Sequence, residues 1–365
     1  MKNYLFLKYL LSKSKKYIFI IFVVTILLLN LISKSFSEEN IFIVNDVKVE
    51  GVIDINFSRD QYIDKAFEKS FDMLISKILL TRDLDKINNL KLSKIKDLIN
   101  SFQILEETYQ KSEYKAIFKI FYNDINLKKL FRKKNISFSQ ATNISAVFFP
   151  VLFINEDLQT FNENFFYKEW DKVSINNKLI NFIMPLEDLD DIYKIKEMKN
   201  KIEELNITEL TNKYNTKNYV FALMDYQNKQ LNIYFKTNFN NNERNKNISY
   251  KLEDINDEAR LKSILKEIKI QIIDIWKEEN VIDLAIPLSL RVKFQHKNLQ
   301  DIDKLKNVLY KISLIDDHFL DEFNINDAFF KIYYYGDPRK LKKELTKFNY
   351  QLKNDRGLWE IYIDE

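Results

Sequence analysis

KIYYYGDPRKLKKEL, residues 331–345, passes from an alternating aromatic run into a basic amphipathic one, and between them stands Gly336-Asp337-Pro338. The chain holds only three glycines and four prolines, so a Gly and a Pro two residues apart mark a boundary. Either an exposed carboxylate sits on a catalytic loop here, or the three residues join a strand to a helix. Proline suits the first helical position, where its ring presets φ and its missing N–H costs no hydrogen bond. Aspartate just before it is a good N-cap, and glycine frees the tight exit from the strand. Each residue has a local structural reason, and the stretch reads as a strand-to-helix turn.

Working outward, LAIPLSLRVKF (284–294) predicts a strand, and LQDIDKLKNVLYKI (299–312) a helix with Ile302, Leu305, Val308, Leu309 and Ile312 on one face. HFLDEFNI and DAFFKIYYY are strands, and the helix from Pro338 buries Leu341, Leu345 and Phe348. YQLKND and LWEIYID pair around Arg356-Gly357, with Trp359, Ile361 and Ile363 on one face. Strand, helix, strand, strand, helix, strand is the ferredoxin-like order βαββαβ, which predicts such a module over 281–365.

The same reading divides the rest. A first α+β module is expected over 38–140. IFIVNDVKVEGV (41–52) is a strand, and Ile63, Ala66, Phe67, Ser70, Phe71, Leu74 and Ile78 form the stripe of a helix capped by Ser58. FQILEETYQ and EYKAIFKIFYN follow as a hairpin with Tyr114, Ala116, Phe118, Ile120 and Tyr122 on one face. A second α/β module, 141–280, opens on ISAVFFPVLF (144–153), a run apolar enough for a strand buried on both faces. It ends on a helix from Asp257 to Glu279 that turns Leu261, Ile264, Leu265, Ile268, Ile272 and Ile275 inward. The fold class is thus α/β (α+β), three small βα modules in tandem.

Ahead of them, residues 1–37 carry lysines at 2, 8, 13, 15 and 16 and then an apolar run from Tyr17 to Ile32. The pattern predicts an export signal cleaved after Ser37, or an uncleaved amino-terminal membrane anchor. Either places the body of the protein in the periplasm or on the periplasmic face of the inner membrane. The formal charge of +4 falls to −2 once the six lysines of 1–37 are set aside. The remainder has no electrostatic footprint for nucleic acid. Zero cysteines exclude disulfides, thiolate nucleophiles and Cys-based metal sites.

Candidate chemistry is sparse. Glu187, Asp188, Asp190 and Asp191 place four carboxylates in five positions, inviting a hard cation or an acid–base pair, although acids also belong in a helix's first turn. The two histidines, His296 and His318, stand at strand ends among charges, with no nucleophile elbow beside them. Three isolated glycines supply no phosphate-cradling loop. Lys128, Lys129, Arg132, Lys133 and Lys134 form one basic cluster, read as a solvated helix face or an anionic-lipid contact. In FNENFFYKEW (161–170), Phe161, Phe165, Phe166, Tyr167 and Trp170 lack a period of two. They form either a lid over their own module or, through Phe165, Phe166, Tyr167 and Trp170, a partner surface.

Taken in order, IFIVNDVKVEGV, KAFEKSFDMLISKIL, INSFQILEETYQKSEYKAIFKIFY, SAVFFPVLF, the segment ending in KEW, MPLEDLDDI, YYYGDPRKLKKEL and GLWEIYI resemble the bacterial family called domain of unknown function 2066, in its alphaproteobacterial form. The resemblance spans residues 41–363 and implies an exported protein with no assigned activity and no catalytic residues to carry over. The first module is also similar in pattern to small modules of flagellar and Tol-associated periplasmic proteins. The expectation is a non-enzymatic envelope scaffold with an envelope protein as partner, membrane contact through an uncleaved leader, and no cofactor, metal or nucleic acid. A carboxylate-dependent envelope hydrolase built on residues 187–191 is the alternative.

Overall fold

The computed structural model describes residues 40–175, 177–284 and 287–363; the expected leader lies outside them. In the first part, strand β1 (Ile43–Val52) leads to helix α1 (Arg59–Ile78), the short helices α2 (Thr81–Leu84) and α3 (Leu92–Lys96), strands β2 (Ile99–Gln110) and β3 (Glu113–Tyr122), and helix α4 (Asp124–Lys133). The three strands form an antiparallel sheet in the order β1-β3-β2. Alternation dictates the inner face: Tyr114, Ala116, Phe118, Ile120 and Tyr122 are all buried beneath α1. On α1 the buried stripe takes Tyr62, and Ile63 is left at its margin. Ser58 holds the N-cap position with extended backbone, but its side chain makes no capping hydrogen bond.

A two-residue strand, β4 (Phe138–Ser139), precedes the second sheet. That sheet is built from β5 (Ile144–Ile154), β6 (Asp157–Leu158), β7 (Ile180–Ile183), β8 (Tyr219–Gln227), β9 (Gln230–Phe239) and β10 (Asn242–Lys251). Helices α5 (Phe165–Lys168), α6 (Leu189–Glu197), α7 (Ile207–Thr211) and α8 (Glu258–Glu279) surround it. The order is β10-β9-β8-β5, with β8 parallel to β5 and the short β6 and β7 at opposite ends of β5's other edge. Along β5, Ala146, Phe148 and Leu152 enter a core with α8, while Val147, Phe149, Val151 and Phe153 enter another beneath α6 and α7. The unbroken apolar run from Ala146 to Ile154 follows from covering both faces.

Strand β11 (Val281–Ile282) pairs back to β4. The third sheet comprises β12 (Leu288–Gln295), β13 (Ile315–Phe323), β14 (Asp327–Tyr334), β15 (Tyr350–Asp355) and β16 (Leu358–Ile363), with α9 (Leu299–Lys311) and α10 (Pro338–Lys347) on one face. Its order is β13-β14-β12-β16-β15, parallel only between β12 and β16. The opening motif is the turn its residues dictate: Gly336 has φ +89°, Asp337 accepts from the N–H groups of Arg339 and Lys340, and Pro338 starts α10. The protein is therefore a mixed α/β protein in which the first and third sheets share one hydrophobic core. Among the described residues, no helix is long and apolar enough to cross a membrane.

Candidate functional site

Three of the four acids at 187–191 are held by the fold itself, and the Asp190 side chain is exposed. Glu187 accepts from the Phe161 N–H at 3.0 Å, and Asp188 caps α6 by accepting from the Asp190 N–H. Lys213 Nζ sits between Asp188 and Asp191, 2.7 and 2.8 Å from their oxygens. Asp188 and Asp191 border a small apolar pocket with Phe149, Leu158, Phe161, Ile192 and Ile195, but its interior of about 10 Å³ admits a single water. The hydrogen bond from Lys213 holds Asp188 below the usual carboxylate range, opposite to what a general acid needs. Among the described residues, no group of three or more acidic or histidine side chains is placed to hold a metal.

The aromatic segment fills a gap in the sheet. Between β6 and β7 the middle of β5's outer edge has no strand beside it, and there stands Pro150, which has no N–H to leave unpaired. Buried Asn164 donates to the Pro150 carbonyl at 3.0 Å and accepts from the N–H groups of Phe166 and Tyr167, starting α5 against that edge. Trp170, 1% exposed, stacks on Phe148 with ring centres 3.7 Å apart, and Lys269 lies over its ring. Phe166 is fully buried and Phe161 nearly so. Phe165 and Tyr167 are half-buried, the latter donating to the Pro185 carbonyl. The segment is a lid; as a partner surface it offers only the edges of Phe165 and Tyr167, because the other rings cover β5.

The remaining candidates are also engaged. His296 Nε2 lies 3.1 Å from the Asn324 carbonyl, and burial pushes half-buried His318 below the ordinary imidazole value. The reading of a solvated basic face is corrected for Lys128 alone, since Lys129, Arg132, Lys133 and Lys134 are exposed. Lys128 is buried and pairs with Asp124, Arg132 pairs with Asp316 at 2.8 Å over the Tyr335 ring, and Lys134 donates to the Lys86 carbonyl. α4 is amphipathic, and its position against the third sheet brings Arg132 to Asp316.

The site that sequence reading missed lies at the edge of the first sheet. α1 packs on β1 and β3, and β2 lies beyond its flank. Phe102 and Tyr109 point to the helix side, opposite buried Ile120 and Tyr114, yet they remain 39% and 52% exposed. Leu105, at the bulge between Ile104 and Glu106, is 49% exposed. Between α1 and β2 runs a groove of about 570 Å³, lined by Asp60, Ile63, Asp64 and Phe67 from the helix, Lys96, and residues 99–102 of the strand.

Its far end is fixed. Arg59 grips Glu107 with both carboxylate oxygens, at 2.8 and 3.1 Å, while Tyr114 and Tyr109 donate to the same carboxylate. The Arg59 hydrogen bond, helped by the two phenols against a modest desolvation, holds Glu107 at about 2. Phe57, Tyr62, Tyr109 and Tyr114 pack ring to ring around it.

Most other edge strands of the three large sheets carry charges, although the four-residue β7 (Ile180–Ile183) on β5's outer edge carries none. β1 carries Asp46, Lys48 and Glu50; β10 carries Glu243, Arg244 and Lys246; β13 carries Asp316, Asp317, Asp321 and Glu322; β15 carries Lys353 and Asp355. On β2 the charges are Glu106 and Glu107; Ile99 to Leu105, bulged after Ile99 and after Ile104, holds no charge and no proline. The signal was present in the sequence as INSFQIL, but nothing there shows which strand lies at an edge. The chain matches no family model, and no curated protein matches it significantly.

Proposed function

We propose that this is a non-enzymatic interaction protein whose contact face is the β2 edge together with the groove beside α1. The observation that carries the reading is the uncharged edge Ile99–Leu105 set against half-open Phe102 and Leu105. An edge stretch without charge or proline is a template for another chain. The site suits binding rather than turnover, since the carboxylate at its end, Glu107, is locked by Arg59. The acids at 187–191, tied to Lys213 and to backbone N–H groups, give the hydrolase reading no comparable support.

The leader pattern and the collinear resemblance to domain of unknown function 2066 support placing the protein in the bacterial envelope, exported or anchored. For the third sheet we infer a ferredoxin-like arrangement with one added strand. The order β13-β14-β12 supports it, with β16 inserted between β12 and β15. A photo-crosslinker placed in cells at Gln103 tests the function, with positions on β10 and β13 as controls. Adducts from position 103 alone support the reading, and equal yields from all three edges reject it.

A further inference from the structure

Resting on that reading, we propose that the groove takes an extended segment of another protein, added as a strand to β2, with apolar residues and a lysine or arginine together at the alternate positions that face α1. Strand addition fixes the spacing: every second side chain of the added segment falls on the helix side of the sheet, where Ile63, Phe67 and Phe102 form an apolar floor. The charges fix the sign. Asp60 and Asp64 rim the groove, and Glu68 and Asp72 continue at four-residue spacing along α1.

The only cation lining the groove is Lys96, and Asp64 takes it at 2.7 Å; Asp60 has no salt bridge among the described residues. The lysines of α1 nearest the groove turn the other way, Lys69 to the Lys48 carbonyl on β1 and Lys65 over the Tyr62 ring. Desolvation and the neighbouring Glu68 charge hold Asp72 above its ordinary value, in keeping with a negative flank that the fold leaves uncompensated. A cationic residue two positions from an apolar one, on the same face of the incoming strand, supplies the missing charge.

The test selects short random peptides displayed on phage against the immobilised full-length protein. The expected winners carry apolar and basic residues two positions apart, lack proline, and lose about tenfold or more in affinity for Gln103→Pro, which blocks an edge ladder. They also lose several-fold for Asp60→Lys, an exposed position that reports on charge even if the proline variant fails to fold. Winners that depend on Phe102 but are acidic, or carry helical spacing, overturn the basic-strand proposal and leave the groove as the contact face. Winners indifferent to Phe102→Ser, Gln103→Pro and Asp60→Lys, or no winners, overturn both. A wild-type dimer that Gln103→Pro converts to monomer makes the occupant a second copy and overturns the proposal.

Discussion

Lys277 donates to the backbone carbonyl of Leu79, 2.6 Å away and 198 residues earlier in the chain. Its ammonium also reaches the Ser76 carbonyl at 2.7 Å, and Asp274, one helical turn back, accepts from the Thr81 N–H. A single turn of α8 thus closes the C-terminus of α1 and opens α2. Burial pushes Lys277 down to about 8, with Asp274 pulling it partly back, so the charge is kept at a cost and only because these partners hold it. Lys277→Met leaves carbonyls of the α1 terminus and Asp274 without their donor. The expected loss is about 2–4 kcal/mol in urea unfolding, since removing one partner strands the others. A loss no larger than that of an exposed lysine would show that water replaces the clasp.

Glu279 closes the same helix with a side chain only 5% exposed. Burial pushes it up to about 7, while Arg244, 3.5 Å away, and Asn242 draw it partly back; the helix C-terminus is also a poor place for negative charge. The folded carboxyl is raised above its unfolded value near 4.5, so between about 4.5 and 7 the native state binds more protons. Its contribution is present at the acid end of that window and lost as pH rises through it. Glu279→Gln is expected to remove this slope and to gain about 1–2 kcal/mol relative to wild type on moving above the window, after discounting for solvent near the group. Melting curves of both proteins across the window decide it; parallel pH profiles would count against a raised Glu279.

The opening stretch was legible because its chemistry is local: Gly336, Asp337 and Pro338 each answer to a neighbour within three residues. The stripe of α1 and the double-faced β5 were legible for the same reason, being periodicities of one element. The basic cluster was not, because Arg132 finds Asp316 across 184 residues, and no spacing records that. Lys269 and Lys277 sit on a helix whose apolar stripe was plain in sequence, yet both are buried, since the carbonyls that hold them belong to other segments. The β2 groove failed for a third reason: the sequence reads LSKIKDLINSF as a helix and a strand only from Phe102, whereas the helix ends at Lys96 and β2 begins at Ile99, and only strand order makes it an edge.

At Gly51 the constraint is space. An added Cβ would stand 2.0 Å from the Tyr62 hydroxyl and within 2.6 Å of two ring carbons. Tyr62 cannot swing aside cheaply, because it packs against Phe57 and Tyr114 and donates to the Val52 carbonyl. Gly51→Ala is expected to cost about 1–3 kcal/mol, as overpacking does, and to loosen the Arg59–Glu107 end of the groove. Pairing it with Tyr62→Leu should cost less than the two changes summed, because the second removes what the first strikes. Additive losses would place the strain elsewhere in β1.

The lid over β5 yields the sharpest separation of packing from binding. Trp170 is stacked between Phe148 and the Phe182 edge, and its backbone carbonyl accepts from Lys269. Trp170→Ala opens a cavity beneath that lysine, with an expected loss of about 3–5 kcal/mol. Asn164→Ala removes a donor from the Pro150 carbonyl and a cap from α5, at about 1–3 kcal/mol, without touching the aromatic core directly. Both changes should raise amide exchange at the middle of β5, and neither should alter peptide capture at the β2 edge by more than the folded fraction lost. A Trp170→Ala protein that melts like wild type but no longer captures a partner would make the lid, and not the groove, the contact surface.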